Sequence, residues 1–212
     1  MASPAAHAPS IPSLPTTPIL TLTKTLVRPY HLPSDAAPSA KQGNDPEIAR
    51  WMRNTFPHPY ELRDAEHFIP TIALVDKSAS PLRPEGILLN YAVCRSSDGA
   101  FVGGIGLKPL GDIEARTAEI GYWLGREHWG RGYAGEVAAA FTAWAFATFP
   151  DLNRVEARVF EGNSASEAVL KKVGYQFEGV RRKAIWKNGE YLDMRNFSML
   201  RDECPGLEGV VL

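Results

Sequence analysis

Between Glu119 and Glu136 the chain reads EIGYWLGREHWGRGYAGE, and no other stretch constrains the fold as strongly. A short apolar run passes through a basic, glycine-rich turn into an alanine-rich segment with helical spacing. The small residues of Trp129-Gly130-Arg131-Gly132-Tyr133-Ala134-Gly135 let the backbone curl tightly and approach a ligand. The first N–H groups of the helix that follows have no partner within it, and the macrodipole is positive at that end. The stretch therefore reads as a cradle for an anion, phosphate above all, with Arg131 as an added cation. It predicts a ligand whose remaining length runs back along the strand that feeds the turn.

The rest of the chain sets the bounds. With 212 residues, 44% of them hydrophobic, there is enough for one good core. We expect a single domain over 19–203, a flexible Pro-rich arm over 1–18 and a tail over 204–212. The net charge of −1, with Arg181-Arg182-Lys183 as the densest basic cluster, argues against a nucleic-acid binder that works by neutralising phosphates. No apolar run is long enough for a membrane span. The N-terminal stretch lacks both the apolar core of a secretion signal and the arginines of a transit peptide, so the expectation is a cytoplasmic protein. Cys94 and Cys204 form no CxxC pair and read as reduced thiols, and the five histidines show no metal-ligand spacing.

In chain order, Leu20 to Arg28 reads as a strand ended by Pro29. Asp45-Pro46-Glu47 spells a helix start, and a second short helix is expected over Leu62 to Ile69. Ile87 to Cys94 and Phe101 to Leu107 read as strands joined by Ser97-Asp98-Gly99, the glycines of the second marking either a bulge or close packing. Ala118 to Leu124 is the strand that enters the cradle. Val137, Phe141 and Trp144 then recur at helical intervals from Ala134 to Thr148. Arg154 to Phe160 alternates cleanly, with Val155, Ala157 and Val159 on one face. Ser164 and Glu167 are spaced as a capping box, and Gly174 stands where a helix stops. Two last strands, Tyr175 to Arg182 and Tyr191 to Leu200, flank Asn188-Gly189. The sum is an α/β domain with a mixed sheet.

Gly130, Gly132 and Gly135 also satisfy GxGxxG, the dinucleotide fingerprint. That motif wants an acid about twenty residues on, closing the next strand. Asp151 precedes the strand and Glu161 lies too far along, and repeated parallel crossovers are missing, which weighs against a nicotinamide site.

Taken together, AEIGYWL, WGRGYAGEV, VEARVFEGNSASEAVLKKVGY and the closing hairpin with NGEYLDM resemble the GNAT-fold N-acetyltransferases, and within them the RimJ/RimL-like branch. The resemblance runs from about Leu22 to Leu200 and includes the early PHPYELRDAEHFI segment. It implies a central mixed, mostly antiparallel sheet flanked by helices, with acetyl-CoA as co-substrate. By this resemblance the backbone of Arg131, Gly132, Tyr133, Ala134 and Gly135 holds the pyrophosphate. Tyr122, Trp123 and Leu124 lie beside the pantetheine arm, which pairs like an extra strand, and Asn163 reaches that arm from the next helix. Trp129 departs from the Gln or Arg usual there. From sequence alone Asn163 reads equally well as a turn residue before a helix.

Moving acetyl from a thioester to an amine requires a base for the ammonium, a donor for the oxyanion and a proton for the thiolate. Glu119 is the candidate base, matching the strand glutamate of several members, and its apolar sequence neighbours would raise its pKa. Its other reading is a solvated edge residue or a partner for Arg116. For the oxyanion we expect a backbone N–H near Ile120 to Tyr122, with Gly121 permitting a bulge. The tyrosine acid of many members falls on Leu170 here, which leaves Ser166 as the candidate donor, or else as a small first-turn residue. His128 adjoins the cradle and reads either as a contact to phosphate or substrate or as a solvated turn histidine. Trp51, Phe56, Trp123 and Trp186 suit either an acceptor pocket or the core. The acceptor is a primary amine, either a peptide N-terminal α-amine or a small molecule. A non-catalytic acyl-CoA-binding module stays open through Leu170, as does the choice between monomer and homodimer.

Overall fold

The computed structural model describes residues 17–75 and 87–207. Most of the expected Pro-rich arm, part of the tail and the Pro-rich connection at 76–86 lie outside the described residues. One eight-stranded sheet carries the fold: β1 (Leu20–Thr21), β2 (Thr25–Arg28), β3 (Asn90–Arg95), β4 (Phe101–Pro109), β5 (Thr117–Leu124), β6 (Arg154–Phe160), β7 (Gln176–Lys187) and β8 (Glu190–Leu200). Their order is β1-β2-β3-β4-β5-β6-β8-β7, and every neighbouring pair is antiparallel except β5 with β6. The helices are α1 (Ala36–Gly43), α2 (Pro46–Ala49), α3 (Leu62–Phe68), α4 (Tyr133–Thr148) and α5 (Ser164–Val173).

Side-chain alternation divides the core between the two faces. Tyr91 and Val93 of β3 join Ala118, Ile120 and Leu124 of β5 against Val137, Phe141 and Trp144 of α4. Ala92 and Cys94 point the other way, into a smaller cluster with Ala36 of α1 and Ala65 of α3. The centre of the first cluster is Phe141, fully buried, with its ring 5.8 Å from Tyr91 and 5.0 Å from Trp144. Phe141→Ala should therefore cost about 3–5 kcal/mol of stability in a denaturant titration. A loss below about 1 kcal/mol would show that this face is not tightly packed.

The strand expected over Leu20 to Arg28 is interrupted: Leu22 N–H donates to the Thr25 carbonyl, and β1 folds back on β2. Helix α1 was hidden by Pro38, which sits at its third residue, where no intrahelical N–H is needed. Asp45 caps α2 as expected, accepting from Glu47 N–H at 2.8 Å, but that helix ends at Ala49. The capping box expected of Ser164 and Glu167 is not formed. Asn163 is the cap, its Oδ1 accepting from Ser166 N–H at 3.2 Å, while Glu167 pairs with Arg195 at 2.7 Å. The β4 glycines serve close packing: a Cβ on Gly103 or Gly104 would run into the Trp123 carbonyl or the Tyr30 hydroxyl.

The feature that makes a site is a fork in this sheet. The parallel ladder of β5 and β6 runs only from Thr117↔Arg154 to Glu119↔Glu156. Beyond that rung β5 stays on β4 as far as Leu124, and β6 stays on β8 as far as Phe160. The last rung sets two carboxylates side by side, an arrangement that is unfavourable unless each is neutralised. Arg53 and Arg158 supply the neutralisation.

Candidate active site

The fork leaves unpaired backbone edges. Thr117 turns its carbonyl to β4, accepting from Leu110 N–H at 2.9 Å, whereas Arg116 turns its own toward β6, accepting from Asn153 at 2.9 Å. Strand alternation then points the N–H and C=O groups of Ile120 and Tyr122 into the fork, where no strand meets them. The bulge expected at Gly121 is absent, since the β4–β5 register continues without a shift from Leu124 to Ala118. Leu124 C=O is already taken by the Trp129 indole N–H at 2.8 Å, so the tryptophan ties the end of β5 to the turn that follows.

At the mouth of the fork the cradle has the form expected of it. Gly130 and Gly132 adopt φ of 72° and 80°, the left-handed region that favours glycine. Gly132 is the N-cap of α4, and Glu136 donates to its carbonyl at 3.2 Å. The N–H groups of Tyr133, Ala134 and Gly135 remain at the open helix end. Arg131 leans back, its Nε donating to the Glu127 carbonyl at 3.2 Å. A second cation, Lys24, arrives from beside β2 and donates through Nζ to the Arg131 carbonyl at 3.2 Å. Glu136, an acid in the first turn, is drawn off by Thr25 Oγ1 at 2.6 Å and by Lys24 N–H. No local sequence signal marks Lys24, because the contact spans 107 residues.

A cleft of about 2230 Å³ joins cradle and fork, larger than the about 300–1,000 Å³ of an ordinary ligand pocket. It has room for two substrates. Glu119, Tyr122, Trp123, Leu124, Gly132, Tyr133, Ala134, Gly135, Asn163 and Ser166 all line it, and Arg131 lies outside its lining. Open N–H groups at both cradle and strand edge, with cations beside the cradle, fit a long donor that has phosphates at one end and an amide-bearing arm at the other.

Glu119 is buried, yet its surroundings are ionic rather than apolar as the sequence suggested. Arg53, from the loop after α2, spans both carboxylate oxygens through one nitrogen at 2.5 and 2.7 Å, and Arg158 stands 3.7 Å away. Arg158 is itself held by Glu156 at 2.7 Å. Arg116, once a possible partner, faces Asp151 instead at 3.8 Å. Alternation along β5 places Glu119 and Trp123 on one face and Tyr122 on the other, beside α5. There the Tyr122 hydroxyl is buried without a hydrogen bond among the described residues. Burial pushes its pKa up to about 12, and the nearby Ser166 hydroxyl draws it slightly down. Leu170 is buried in the core.

His128 is not solvated: it is buried, neither ring nitrogen has a hydrogen bond among the described residues, and burial lowers its pKa despite Glu127 at 3.7 Å. The aromatic candidates divide. Trp123 packs 5.7 Å from Phe56 and 6.0 Å from Phe101, whereas Trp186 is exposed on β7 against Tyr191. Cys94 is buried, with a thiol pushed up to about 11 by that burial, as an unreactive core cysteine should be. Among the described residues no helix is long and apolar enough to cross a membrane.

A forked sheet that opens onto an anion cradle agrees with the acetyltransferase frame that the sequence resemblance implied. A family model for the acetyltransferase (GNAT) domain matches residues 24–176. The uncharacterized N-acetyltransferase p20 of Bacillus licheniformis is 31% identical over 173 residues, 81% of this chain and 90% of that protein. The putative ribosomal N-acetyltransferase YdaF of Bacillus subtilis is 35% identical over 109 residues, 51% of this chain and 58% of that one. Among solved structures, Mycobacterium smegmatis RimJ in complex with CoA-disulfide matches with a TM-score of 0.70 at 24% identity, over 85% of this chain and 84% of that one. The chain belongs to the GNAT acetyltransferase family and is an acetyl-CoA-dependent N-acetyltransferase.

Proposed function

We propose that this chain transfers acetyl directly to a primary amine held on the Glu119 face of the fork, and that Glu119 is the general base. The observation that carries the reading is the position of Glu119. It stands on the last paired rung, where an acyl group reaching in from the cradle would arrive. Bound acetyl-CoA supplies the activated acyl group as a thioester. The open N–H groups of Tyr133, Ala134 and Gly135 bind the phosphates, with Lys24 and Arg131 adding charge. Ile120 and Tyr122 present N–H and C=O groups to the arm, much as an edge strand receives an added strand. Asn163, which spends only its oxygen on the cap, keeps an amide N–H for the same arm.

Glu119 takes a proton from the bound ammonium. The C–N bond then forms and the C–S bond breaks, the amide nitrogen gives its second proton to water, and the departing thiolate is held by a hydrogen bond from the opposite face until it takes a proton from water. Ser166 is the donor there, backed by the Tyr122 hydroxyl. That phenol stands in for the tyrosine whose place Leu170 has taken. Ser166→Ala and Tyr122→Phe should each lower kcat about tenfold, and the double variant should be little worse than either, because the two neighbouring hydroxyls serve the same sulfur. Additive losses would show that the two act separately.

A peptide α-amine is the acceptor that the ribosomal relatives suggest, with a small-molecule amine as the other source. Incubation with acetyl-CoA and a panel of amines, read as released thiol, tests the function. Turnover on at least one amine is expected. Tight acetyl-CoA binding without turnover on any of them would return the chain to the binding-module reading.

A further inference from the structure

We propose that the acceptor carries a carboxylate beside its amine, and that this carboxylate engages Arg53 and thereby releases Glu119 to act as base. The inference rests on the reading of Glu119 given above. As the protein stands, both oxygens of that carboxylate are held by Arg53. A carboxylate so engaged has both oxygens turned to the guanidinium and none turned to an incoming ammonium. Something must compete for the guanidinium before the base can work. Arg53 is suited to being drawn away: its side chain is 49% exposed, it projects from a loop rather than a helix or strand, and it has no other ion pair among the described residues. Arg158 cannot serve, since Glu156 already holds it through two nitrogens.

The charge around the acceptor side of the cleft agrees. Lys108 lies opposite Glu119 in the β4–β5 register, hence on the same face, and makes no ion pair among the described residues. Lys187 is buried at the edge of the cleft with its ammonium on the Met52 carbonyl at 2.7 Å and on Asn54 Oδ1 at 3.4 Å, and among the described residues no carboxylate meets it. That contact also anchors the segment that carries Arg53. Against Arg53, Lys108, Arg158 and Lys187 this side sets Glu119 and Asp64 in the lining and Glu156 on Arg158, an excess of one positive charge. Such a chamber repels polyamines and attracts an amine whose own carboxylate offsets the excess. Free amino acids and peptides with an acidic residue next to the N-terminus share this chemistry.

The test uses matched amines that differ only in charge: alanine against alaninamide, and Ser-Asp-Ala-amide against Ser-Ala-Ala-amide and Ser-Lys-Ala-amide. Rates are read as thiol release, and affinities for the same compounds are read by calorimetry on the CoA-loaded protein. In the unaltered enzyme the carboxylate-bearing member of a pair should be favoured at least tenfold in kcat/KM and in affinity. Preference for alanine would point to free amino acids, and preference for the aspartyl peptide to acidic N-termini. Arg53→Gln should reduce the preference to about onefold, raising kcat for the neutral amines while lowering it for the acidic ones, and Arg53→Lys should restore part of it. A merely structural arginine would depress both sets together. Equal or better use of the neutral or lysyl compounds by the unaltered enzyme, or an unchanged preference in Arg53→Gln, would overturn the proposal. Because binding is read separately, charge selection without turnover would instead count against acetyl transfer at Glu119.

Discussion

Replacing Glu119 with glutamine is expected to lower kcat at neutral pH by about 10²–10³-fold while leaving the affinity for acetyl-CoA nearly intact. Glutamine fills the same space on the last rung of the fork but cannot take a proton from an ammonium. Raising the pH supplies free amine from solution, so part of the lost rate should return. The variant's pH–rate profile should therefore climb more steeply than that of the unaltered enzyme. Glu119 also holds Arg53, and a purely structural role would show as loss of donor affinity or of thermal stability alongside rate. A profile parallel to that of the unaltered enzyme would remove Glu119 from the proton path.

The second large effect lies at the other end of the cleft. Gly132→Asp should weaken acetyl-CoA binding by about a thousandfold, roughly 4 kcal/mol, as measured by calorimetry. Gly132 caps α4 at φ of 80°, and its backbone belongs to the cradle. An aspartate there costs about 1–2 kcal/mol in backbone strain. Its carboxylate would stand against the phosphates and would also capture Lys24, whose Nζ lies 3.3 Å from where the new Cβ falls. The melting temperature should drop only by the few degrees that the strain explains. Wild-type affinity in this variant would mean that the phosphates are held elsewhere.

What could be read from the residues divides by range. The α4, β6 and α5 spans, the Asp45 cap, the 188–189 turn and the glycine cradle depend on periodicity, capping and left-handed glycine, all of them local, and they appear in the structure nearly residue for residue. The strand that carries Glu119 was legible in the same way, whereas Glu119 itself was singled out by the resemblance. The fork was not legible, because it depends on where pairing between β5 and β6 stops, and neither strand carries a bulge or a proline to announce it. Arg53 reaches Glu119 across 66 residues and Lys24 reaches the cradle across 107, so nothing in their own neighbourhoods distinguishes them. Tyr122 was noticed for its backbone alone. Its hydroxyl is buried beside Ser166, which takes the packing of α5 to bring about. His128 looked like a turn residue and is a buried one, since the turn packs inward against Tyr133, with ring centroids 6.3 Å apart. The helix over Ala36–Gly43 is not announced by its residues, because a proline ordinarily marks a break, although at the third helical position it breaks nothing.

The most direct test of the account is a crystal structure of the chain with CoA bound. It should show the pantetheine arm within the fork, hydrogen-bonded to the backbone of Ile120 and Tyr122, the pyrophosphate on the N–H groups of Tyr133, Ala134 and Gly135, and the sulfur between Glu119 on one face and Ser166 on the other. CoA bound with its sulfur away from the Glu119↔Glu156 rung, or with its phosphates off the α4 N-terminus, would contradict it.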